Sequence, residues 1–362
     1  KNNQELTLDD LKFLYEVDSR IEGFGYQKDP RIKEIISKRD KRKDIFFAYG
    51  VNEDEVAFSK EEWEENKDRI KVYYGNLDLS NLTSAEGLKL PETINGYLNL
   101  SGLTSAEGLE LPNTIGEDLY LNSLTSAEGL VLPNTINGNL YLHSLTSAEG
   151  LVLPNIINGD LYLSSLTSAE CLELPNRITG SLDLDGLISA EGLVLPNTLN
   201  GDLYLRSLTS VEGLELPNRI TGSLDLDGLI SAEGLVLPNI INGSLYLNSL
   251  ISAEGLVLPN TVNGDLDLRS LTSAECLELP NTVNGDLDLR SLTSAECLEL
   301  PNRITGSLYL KSLISAEGLV LPISLFDRVY SNITISETCF IPDEEYYKYK
   351  NEYKNNESIR KI

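Results

Sequence analysis

Leucines recur at fixed offsets along most of the chain, and the whole pattern repeats every 21 residues. One unit reads LNSLTSAEGLVLPNTINGNLY, from Leu121 to Tyr141. The proline of this unit recurs without a skipped interval from Pro91 to Pro322, so twelve units fill residues 76–322. A constant period of about 20 to 29 residues with leucines at set positions is typical of a solenoid, in which each unit stacks on the one before it.

Each unit contains two Leu-x-Leu motifs. In the second unit they are LNLSGL at residues 98–103 and LELPNTI at residues 109–115. This alternation has the two-residue period of a strand with one buried face. The pattern therefore predicts two short strands per unit, one at each Leu-x-Leu, and parallel stacking of successive units into sheets.

The residues between the motifs predict tight corners. Pro112 removes a ladder donor and ends the second strand, and Asn-Gly pairs such as residues 137–138 supply another corner. Thr104 and Glu107 have the spacing of a capping box, which favours one helical turn with Ala106 buried inside it.

The two ends of the chain do not repeat. Residues 1–75 predict a mainly helical capping domain, with helices near residues 8–17 and 30–39, a third helix over 59–69 capped by Ser59, and a strand over 70–74. Residues 323–362 predict a C-terminal cap, in which residues 323–326 cover the last coil and a helical tail follows from Glu344. The predicted fold class is a repeat solenoid of stacked parallel β-coils, with two short strands per 21-residue coil and a cap at each end.

The segment AEGLELPNTI (residues 106–115) resembles the LxxLxLPxxL core of bacterial leucine-rich repeats, with Ala in the first Leu position. The segment GNLYL (residues 138–142) is similar to the short repeats of bacterial surface and effector proteins. The resemblance covers about two-thirds of the chain. It implies protein–protein recognition on the strand face, with any catalysis in an attached domain. The Asn or Cys that usually forms a side-chain ladder is replaced by Thr114 and Leu124, so a curved horseshoe and a flatter two-sheet coil both stay open.

Two columns of residues, read through all coils at the first Leu-x-Leu, form a candidate interface. The middle column is the residue between the two leucines, and the outer column lies two residues later. Core positions barely change between coils, whereas these columns vary, and Tyr and Arg are common anchors of interfaces. The alternative is that they are tolerated solvent-facing strand residues. The predicted partner-binding residues are Tyr120, Tyr141, Tyr162, Asp183, Tyr204, Arg206, Asp225, Tyr246, Arg269, Arg290 and Tyr309.

Two further columns have a functional and a structural interpretation. The residue between the second pair of leucines is Val in half of the coils, which suits either a second contact stripe or plain strand propensity and cover by a cap. A glutamate occurs in all twelve coils, from Glu86 to Glu317. Its carboxylates are expected to accept hydrogen bonds from turn amides; cation binding between coils is the alternative.

The acidic composition narrows the classes of partner that the chain can bind. The formal charge is −27, from 29 basic and 56 acidic residues, which argues against nucleic acid and anionic membrane surfaces. No apolar run approaches the length of a membrane span, and the start of the chain has no signal-peptide core. The chain has no initiator methionine and no other Met, which fits a processed or partial chain, so an export signal that preceded residue 1 stays open. A cytoplasmic or exported bacterial protein fits, and the oligomeric state, including a monomer, stays open.

The chain contains few of the residues that catalysis or metal binding requires. The chain has one histidine, His143, so no Ser/His/Asp, Cys/His or zinc set is available. Cys171, Cys276 and Cys297 replace a glycine of other coils, which predicts a small buried residue without a positive φ, and Cys339 lies in the tail. The basic run at residues 38–43 suits a solvated helix end or, less well, a dock for an acidic partner.

The sequence therefore predicts a protein-recognition module or scaffold that needs no cofactor and is not an enzyme. A structural or adhesive spacer is the first alternative. The second is an enzyme whose activity lies in the N-terminal domain, where the acidic side chains are Asp9, Asp10, Glu16, Asp18 and Glu22.

Overall fold

A computed structural model describes residues 6–17, 30–275, 277–296 and 298–348 of the 362-residue chain. It is a β-solenoid of stacked parallel coils, about 13 turns with a spacing of ~21 residues, which confirms the predicted fold class. The chain divides into two compact units. The first comprises Lys1–Leu145, Gly150–Leu161 and Pro175–Arg177, and the second comprises Thr146–Glu149, Tyr162–Leu174 and Ile178–Ile362.

The N-terminal part of the first unit is helical, as predicted, and has one helix more than expected. Its helices are Leu8–Leu14 (α1), Pro30–Ser37 (α2), Lys41–Tyr49 (α3) and Lys60–Glu65 (α4), with a 3-10 turn at Glu53–Glu55 and strands at Val56–Ala57 (β1) and Val72–Tyr73 (β2). Ser59 caps α4 as expected, because its hydroxyl accepts the Glu62 N–H at 3.3 Å. Thr7 caps α1 in the same way, accepting the Asp10 N–H at 3.2 Å.

The basic run at residues 38–43 is mostly exposed and leads into the start of α3, which confirms the predicted solvated helix end. Arg39 makes an ion pair with Asp44, which is 7% exposed and also accepts a 2.8 Å hydrogen bond from the Tyr15 hydroxyl. Arg42 pairs with Glu62, and Lys41 lies 4.5 Å from the centre of the Tyr74 ring. Arg39, Lys41 and Arg42 thus contact their own unit, whereas the side chains of Lys38 and Lys43 stay 69% and 81% exposed, and the dock for an acidic partner stays a prediction.

Of the acidic residues named for the N-terminal enzyme alternative, the structure describes Asp9, Asp10 and Glu16. Asp10 accepts hydrogen bonds from the backbone and hydroxyl of Thr7, at 2.8 and 2.7 Å, and these hydrogen bonds lower its pKa. Glu16 has a left-handed backbone with φ of 54° at the end of α1. Asp18 and Glu22 lie outside the described residues.

The first set of coil strands lies at the first Leu-x-Leu, as predicted. These strands are Leu77–Asp78 (β3), Leu98–Asn99 (β5), Leu119–Tyr120 (β7), Leu140–Tyr141 (β9), Leu161–Tyr162 (β11), Leu182–Asp183 (β13), Leu203–Tyr204 (β15), Leu224–Asp225 (β17), Leu245–Tyr246 (β19), Leu266–Asp267 (β21), Leu287–Asp288 (β23) and Leu308–Leu310 (β25). We call the surface formed by this set the strand face.

The second set of strands does not lie at the second Leu-x-Leu, and that prediction is wrong. The strands follow the proline instead, at Thr93–Ile94 (β4), Thr114–Ile115 (β6), Thr135–Ile136 (β8), Ile156–Ile157 (β10), Arg177–Ile178 (β12), Thr198–Leu199 (β14), Arg219–Ile220 (β16), Ile240–Ile241 (β18), Thr261–Val262 (β20), Thr282–Val283 (β22) and Arg303–Ile304 (β24).

Hydrogen bonding explains the shift of the second strand. The Leu109 N–H donates to Ala106 O at 3.0 Å within its own coil, and Pro112 has no N–H to donate. Bonding to the preceding coil resumes after the proline, where Asn113 N–H donates to Glu92 O at 2.9 Å and Gly116 N–H to Ile94 O at 2.8 Å. Proline thus precedes the second strand rather than ending it.

Strand pairing is parallel and in register within each unit. In the first unit the strand orders are β1-β2-β4-β6-β8-β10 and β3-β5-β7-β9. In the second unit they are β14-β16-β18-β20-β22-β24 and β13-β15-β17-β19-β21-β23-β25. Apart from β1 with β2, which joins Val56 to Val72, each pair joins positions 21 residues apart, for example Leu224 with Leu245. The inward leucines of these strands are fully buried, and they form a continuous core within each unit.

The C-terminal segment adds a turn beyond the twelve repeats. Strand Val329–Ser331 (β27) pairs with β25, and Leu321–Pro322 (β26) pairs with Phe340–Ile341 (β28). Short 3-10 turns lie at Ile323–Leu325 and Glu337–Cys339, and residues 343–348 are helical. Leu325 is fully buried, and Arg328 donates to Gly306 O at 2.8 Å, so this segment covers the final coil as predicted.

The glycine that follows the repeated glutamate has a left-handed backbone, contrary to the sequence-based expectation. Its φ is 74° at Gly108 and 78° at Gly192, and Cys171 adopts φ of 64° at the same repeat position. The position therefore selects for backbone conformation. A Cβ at Gly108 would meet nothing within 4 Å, whereas one at Gly255 would lie 3.1 Å from Glu233 Cα, so space adds a constraint only in some coils. Cys171 is exposed rather than buried; Cys276 and Cys297 lie outside the described residues.

Candidate strand-face interface

A ladder of short polar side chains runs along the strand face. Its members lie one residue before a strand, and the sequence pattern did not predict it. In the first unit Asn139 N–H donates to Asp118 Oδ1 at 2.8 Å, and Asp160 N–H donates to Asn139 Oδ1 at 2.7 Å. We call this the polar ladder; its observed acceptors are Asn76, Asp118, Asn139, Ser181, Asp202, Ser223, Ser244, Asp265 and Asp286. It satisfies backbone donors at the corner, the role expected of the Asn or Cys absent from positions 114 and 124.

Stacked tyrosines follow the polar ladder in the first unit. The rings of Tyr120 and Tyr141 lie parallel at 4.5 Å, with an interplanar angle of 7°. The Tyr120 hydroxyl donates to Asp118 Oδ2 at 3.0 Å, and Asn139 Nδ2 donates to the Tyr141 hydroxyl at 3.0 Å. Burial, followed by the Asp118 hydrogen bond, raises the pKa of Tyr120 above its ordinary value. The two half-buried rings are therefore fixed in place by their stacking and by their hydroxyl groups.

A tyrosine, an arginine and two aspartates form a connected group in the second unit. The Tyr204 hydroxyl donates to Asp202 Oδ2 at 2.8 Å, and burial together with this bond raises the pKa of Tyr204 to about 12. The Arg206 guanidinium lies 4.8 Å from the Tyr204 ring centre. Its Nε and Nη1 donate to Asp225 Oδ2 and Asp185 Oδ2, each at 2.7 Å.

Two further arginines are clamped within their own coils. Arg269 donates from Nε and Nη2 to Asp267, and Arg290 donates from Nε and Nη2 to Asp288. The Nε–Oδ2 distances are 2.9 and 2.8 Å. These side chains remain 41% and 38% exposed, so each presents an ordered guanidinium edge to solvent.

A second aromatic stack lies at the C-terminal end of the strand face. Tyr309 stacks on Tyr330 at 5.0 Å, and its hydroxyl donates to Asp286 Oδ2 at 3.4 Å. Arg290 and Lys311 lie 5.9 and 5.7 Å from the Tyr309 ring centre. The strand face of the second unit thus carries several ordered cations beside aromatic rings.

The middle column is less exposed than the sequence predicted. Asp225, Asp267 and Asp288 are buried, at 4%, 5% and 6% exposure, where solvent-facing residues were expected. Each is covered by its arginine partner, and Asp225 also lies in register with its neighbours Tyr204 and Tyr246. Burial raises the pKa of Asp225, and the Arg206 ion pair opposes that shift. These aspartates therefore orient the arginines and are not themselves open to a partner.

The structure groups the predicted interface residues into local sets. Tyr120 and Tyr141 form one set; Tyr204, Arg206 and Asp225 form a second; and Arg290 and Tyr309 form a third. Arg269 makes a separate pair with Asp267 of its own coil. Tyr162 and Tyr246 are half-buried in the middle column, and Asp183 is half-buried with its Oδ1 accepting the Asp185 N–H at 3.0 Å.

The glutamate column does not form the predicted capping box. In each coil the serine two residues earlier accepts the glutamate N–H through its hydroxyl, for example Ser105 Oγ from Glu107 at 3.1 Å and Ser231 Oγ from Glu233 at 3.2 Å. The carboxylates point outward and are exposed. Among the described residues, no group of three or more His, Cys, Asp or Glu side chains has an arrangement that could hold a metal ion.

The valine column points outward in both units, as the sequence suggested. Val131 and Val152 are each 74% exposed in the first unit, and Val194, Val236 and Val257 are 73–79% exposed in the second. Val320 is half-buried near the C-terminal cap. Most of this column is thus open surface.

Comparisons of the chain with models of protein families, with curated proteins and with solved structures gave no match. Over the described residues, no helix is long and apolar enough to cross a membrane. The fold and the arrangement of side chains are therefore the grounds for a functional proposal.

Proposed function

We propose that this solenoid is a protein-recognition module that binds a protein partner on its strand face. The observation that carries the proposal is the contrast between invariant and variable positions. The inward leucines of the strands are fully buried in every coil, whereas the middle and outer columns change from coil to coil among Tyr, Asp, Asn, Arg, Ser, His and Lys. Variation on a surface above an unchanging core is typical of a surface that recognises a partner.

The order of the side chains supports the same proposal. Tyr120 and Tyr204 are held through their hydroxyl groups, and Arg269 and Arg290 are held by buried aspartates. A side chain that is fixed before binding loses less conformational entropy when a partner arrives. Tyrosine and arginine are also the side chains that most often anchor interfaces. The partner is expected to bury the ring edges and to accept hydrogen bonds from the outer N–H groups of the arginines.

A structural spacer is the second candidate, and one observation favours it. The polar ladder and the Asp–Arg pairs satisfy the polar groups of the face internally, as stacking alone would require. We assign the chain no catalytic step. Its single histidine, His143, lies on the strand face beside Tyr141, with 5.8 Å between the ring centres.

Two triple variants separate recognition from spacing. Tyr141, Tyr162 and Tyr204 are changed together to Ala in one protein and to Phe in a matched control. The Phe variant keeps the ring surfaces and loses the hydroxyl bonds that Tyr141 and Tyr204 make. Both variants are checked by circular dichroism and thermal unfolding before use as bait in bacterial and host lysates.

Recognition predicts that wild type and the Phe variant retain a common partner and that the Ala variant loses it while still folded. A partner retained equally by all three proteins would contradict the assignment to the strand face. No protein retained by any of the three would favour the spacer.

A further inference from the structure

A second surface lies on the loop side of the coils, between the strand-face leucines and the proline. In the coil at residues 250–259, Ala253 and Leu256 point inward at 1% and 6% exposure. Ile251 and Val257 in the same loop point outward at 63% and 73% exposure. The coil therefore places two large apolar side chains in solvent where its core does not need them.

The preceding coil repeats this arrangement. Ile230 is 57% exposed and Val236 is 79% exposed. The two loops are in close contact, since a Cβ at Gly255 would lie 3.1 Å from Glu233 Cα. Ile230, Val236, Ile251 and Val257 thus form one apolar patch, which we call the loop patch.

Isoleucine at the first of these two loop positions is always accompanied by valine at the second. Isoleucine replaces threonine at four coils, and each of these coils has valine six residues later: Ile188 with Val194, Ile230 with Val236, Ile251 with Val257, and Ile314 with Val320. Every coil with a glutamate at the second position keeps threonine at the first, as in Thr209 with Glu215 and Thr272 with Glu278. Two other coils carry valine with threonine, at Thr125 with Val131 and Thr146 with Val152, so isoleucine occurs only in loops that already carry valine.

Carboxylates border the loop patch on every coil. They are Glu212, Glu215, Glu233, Glu254, Glu275 and Glu278, and the loops 208–217, 229–238, 250–259 and 271–280 contain no lysine or arginine. Within the described part of the chain, no ion pair involves these six side chains. The patch is thus apolar at its centre and negative at its edge.

This combination selects one kind of occupant. A second copy of the chain would bring its own −27 charge and the same glutamate row against this border. Four partly exposed side chains supply roughly 240–480 Å² of apolar area, at about 60–120 Å² for each side chain. A stable dimer needs about 800 Å² per partner, so the loop patch is too small and too acidic to hold a second copy.

We propose that the loop patch binds a cationic amphipathic segment of another protein, with two or more apolar side chains flanked by lysine or arginine. The apolar side chains of the segment cover Ile230, Val236, Ile251 and Val257, and its cations face the glutamate border. This site is separate from the strand face. It therefore stands or fails independently of the function proposed above.

The test uses a designed probe and substitutions taken from the chain itself. The probe is a fluorescent 18-residue peptide of alternating Leu and Lys blocks with helical amphipathic spacing, titrated with the full chain by anisotropy. The swap variant carries Ile230→Thr, Val236→Glu, Ile251→Thr and Val257→Glu. Because Thr209, Glu215, Thr272 and Glu278 occupy the same positions in neighbouring coils, the swapped coils are expected to fold.

The proposal predicts that wild type binds the probe and that the swap variant binds it about tenfold or more weakly, although it carries two additional negative charges. The reverse variant, Thr209→Ile with Glu215→Val, extends the patch and is expected to bind the probe more tightly. Equal affinity of wild type and swap variant, with both folded by circular dichroism, would show attraction to acidic surface alone and overturn the proposal. Self-association of wild type that is lost in the swap variant, measured by analytical ultracentrifugation, would also overturn it in favour of a second copy.

Discussion

The corner glycine just before the polar ladder is expected to be the least replaceable residue type in each coil. At Gly243 an added Cβ would lie 2.5 Å from Gly222 C and from Ser223 N, both backbone atoms of the preceding coil. Ordinary contact begins at 3.4 Å, so the two coils would have to separate by about 1 Å. The coil with the exchanged order, Gly116-Glu117, keeps the close approach, since a Cβ at Gly116 would lie 2.0 Å from Asn95 O.

The expected cost of Gly243→Ala is the sum of two effects. Forcing the coils apart costs about 1–3 kcal/mol, in line with overpacking elsewhere in protein cores. The bond from Gly243 N–H to Gly222 O, 2.8 Å long, lengthens and loses about 0.5–1.5 kcal/mol of net stabilisation. The variant should therefore be less stable by about 2–4 kcal/mol.

Gly192 supplies the matched control because it is constrained by conformation and not by space. Its φ is 78°, and a Cβ there would come no closer than 3.8 Å to Ala169 O. Gly192→Ala should cost about 1–2 kcal/mol, the penalty of a left-handed backbone for an L-residue. Asparagine tolerates that backbone, so Gly192→Asn should recover part of the loss, whereas Gly243→Asn should be at least as damaging as Gly243→Ala.

Urea unfolding followed by circular dichroism measures all four variants. Hydrogen exchange reports whether the damage of Gly243→Ala is centred on the coils around residues 222 and 243, as nearest-neighbour stacking requires. If Gly243→Asn proved more stable than Gly243→Ala, or Gly243→Ala matched wild type, the close-approach argument would be refuted.

Two further outcomes follow from strain and burial. Cys171 has a left-handed backbone with φ of 64°, which strains most residues other than glycine. Cys171→Gly should therefore raise the free energy of unfolding by about 0.5–1 kcal/mol, whereas Cys171→Ser should give no gain. Thermal unfolding of the two variants measures the difference. Burial raises the pKa of Asp225, so the folded state holds that proton more tightly than the unfolded state, whose pKa is about 3.9. Its contribution is fully present below the unfolded pKa and is lost as pH rises through the folded pKa. Wild type should therefore lose stability relative to Asp225→Asn over that window, and parallel pH profiles of the two proteins would count against the burial argument.

The parts of the coil that the sequence predicted correctly are those that a single coil determines. The 21-residue period, the inward leucines and the first strand follow from a hydrophobic pattern that needs only a buried and an exposed side. The buried alanine followed in the same way, since Ala106 is 1% exposed. These features depend on a single coil, so the 21 residues of one repeat are enough to predict them.

The features that were missed depend on two coils at once. The second strand begins after Pro112 because Glu92 O and Ile94 O of the preceding coil accept hydrogen bonds there. The Leu-x-Leu segment before Pro112 follows a turn, in which the Leu109 N–H donates to Ala106 O of its own coil. The polar ladder was overlooked because Asp, Asn and Ser before each strand read as ordinary turn residues until the next coil's amide is seen 2.6–3.2 Å away.

The strand face shows the same division between sequence and tertiary structure. Sequence alone identified the variable columns and the Tyr, Asp and Arg residues in them. Only the stacked structure decided that Asp225, Asp267 and Asp288 are buried, because each aspartate is covered by an arginine, on its own coil or on the coil before it. Periodicity along the chain thus determined what each coil contains, and contact between coils determined which side chains support the surface and which are left to meet a partner.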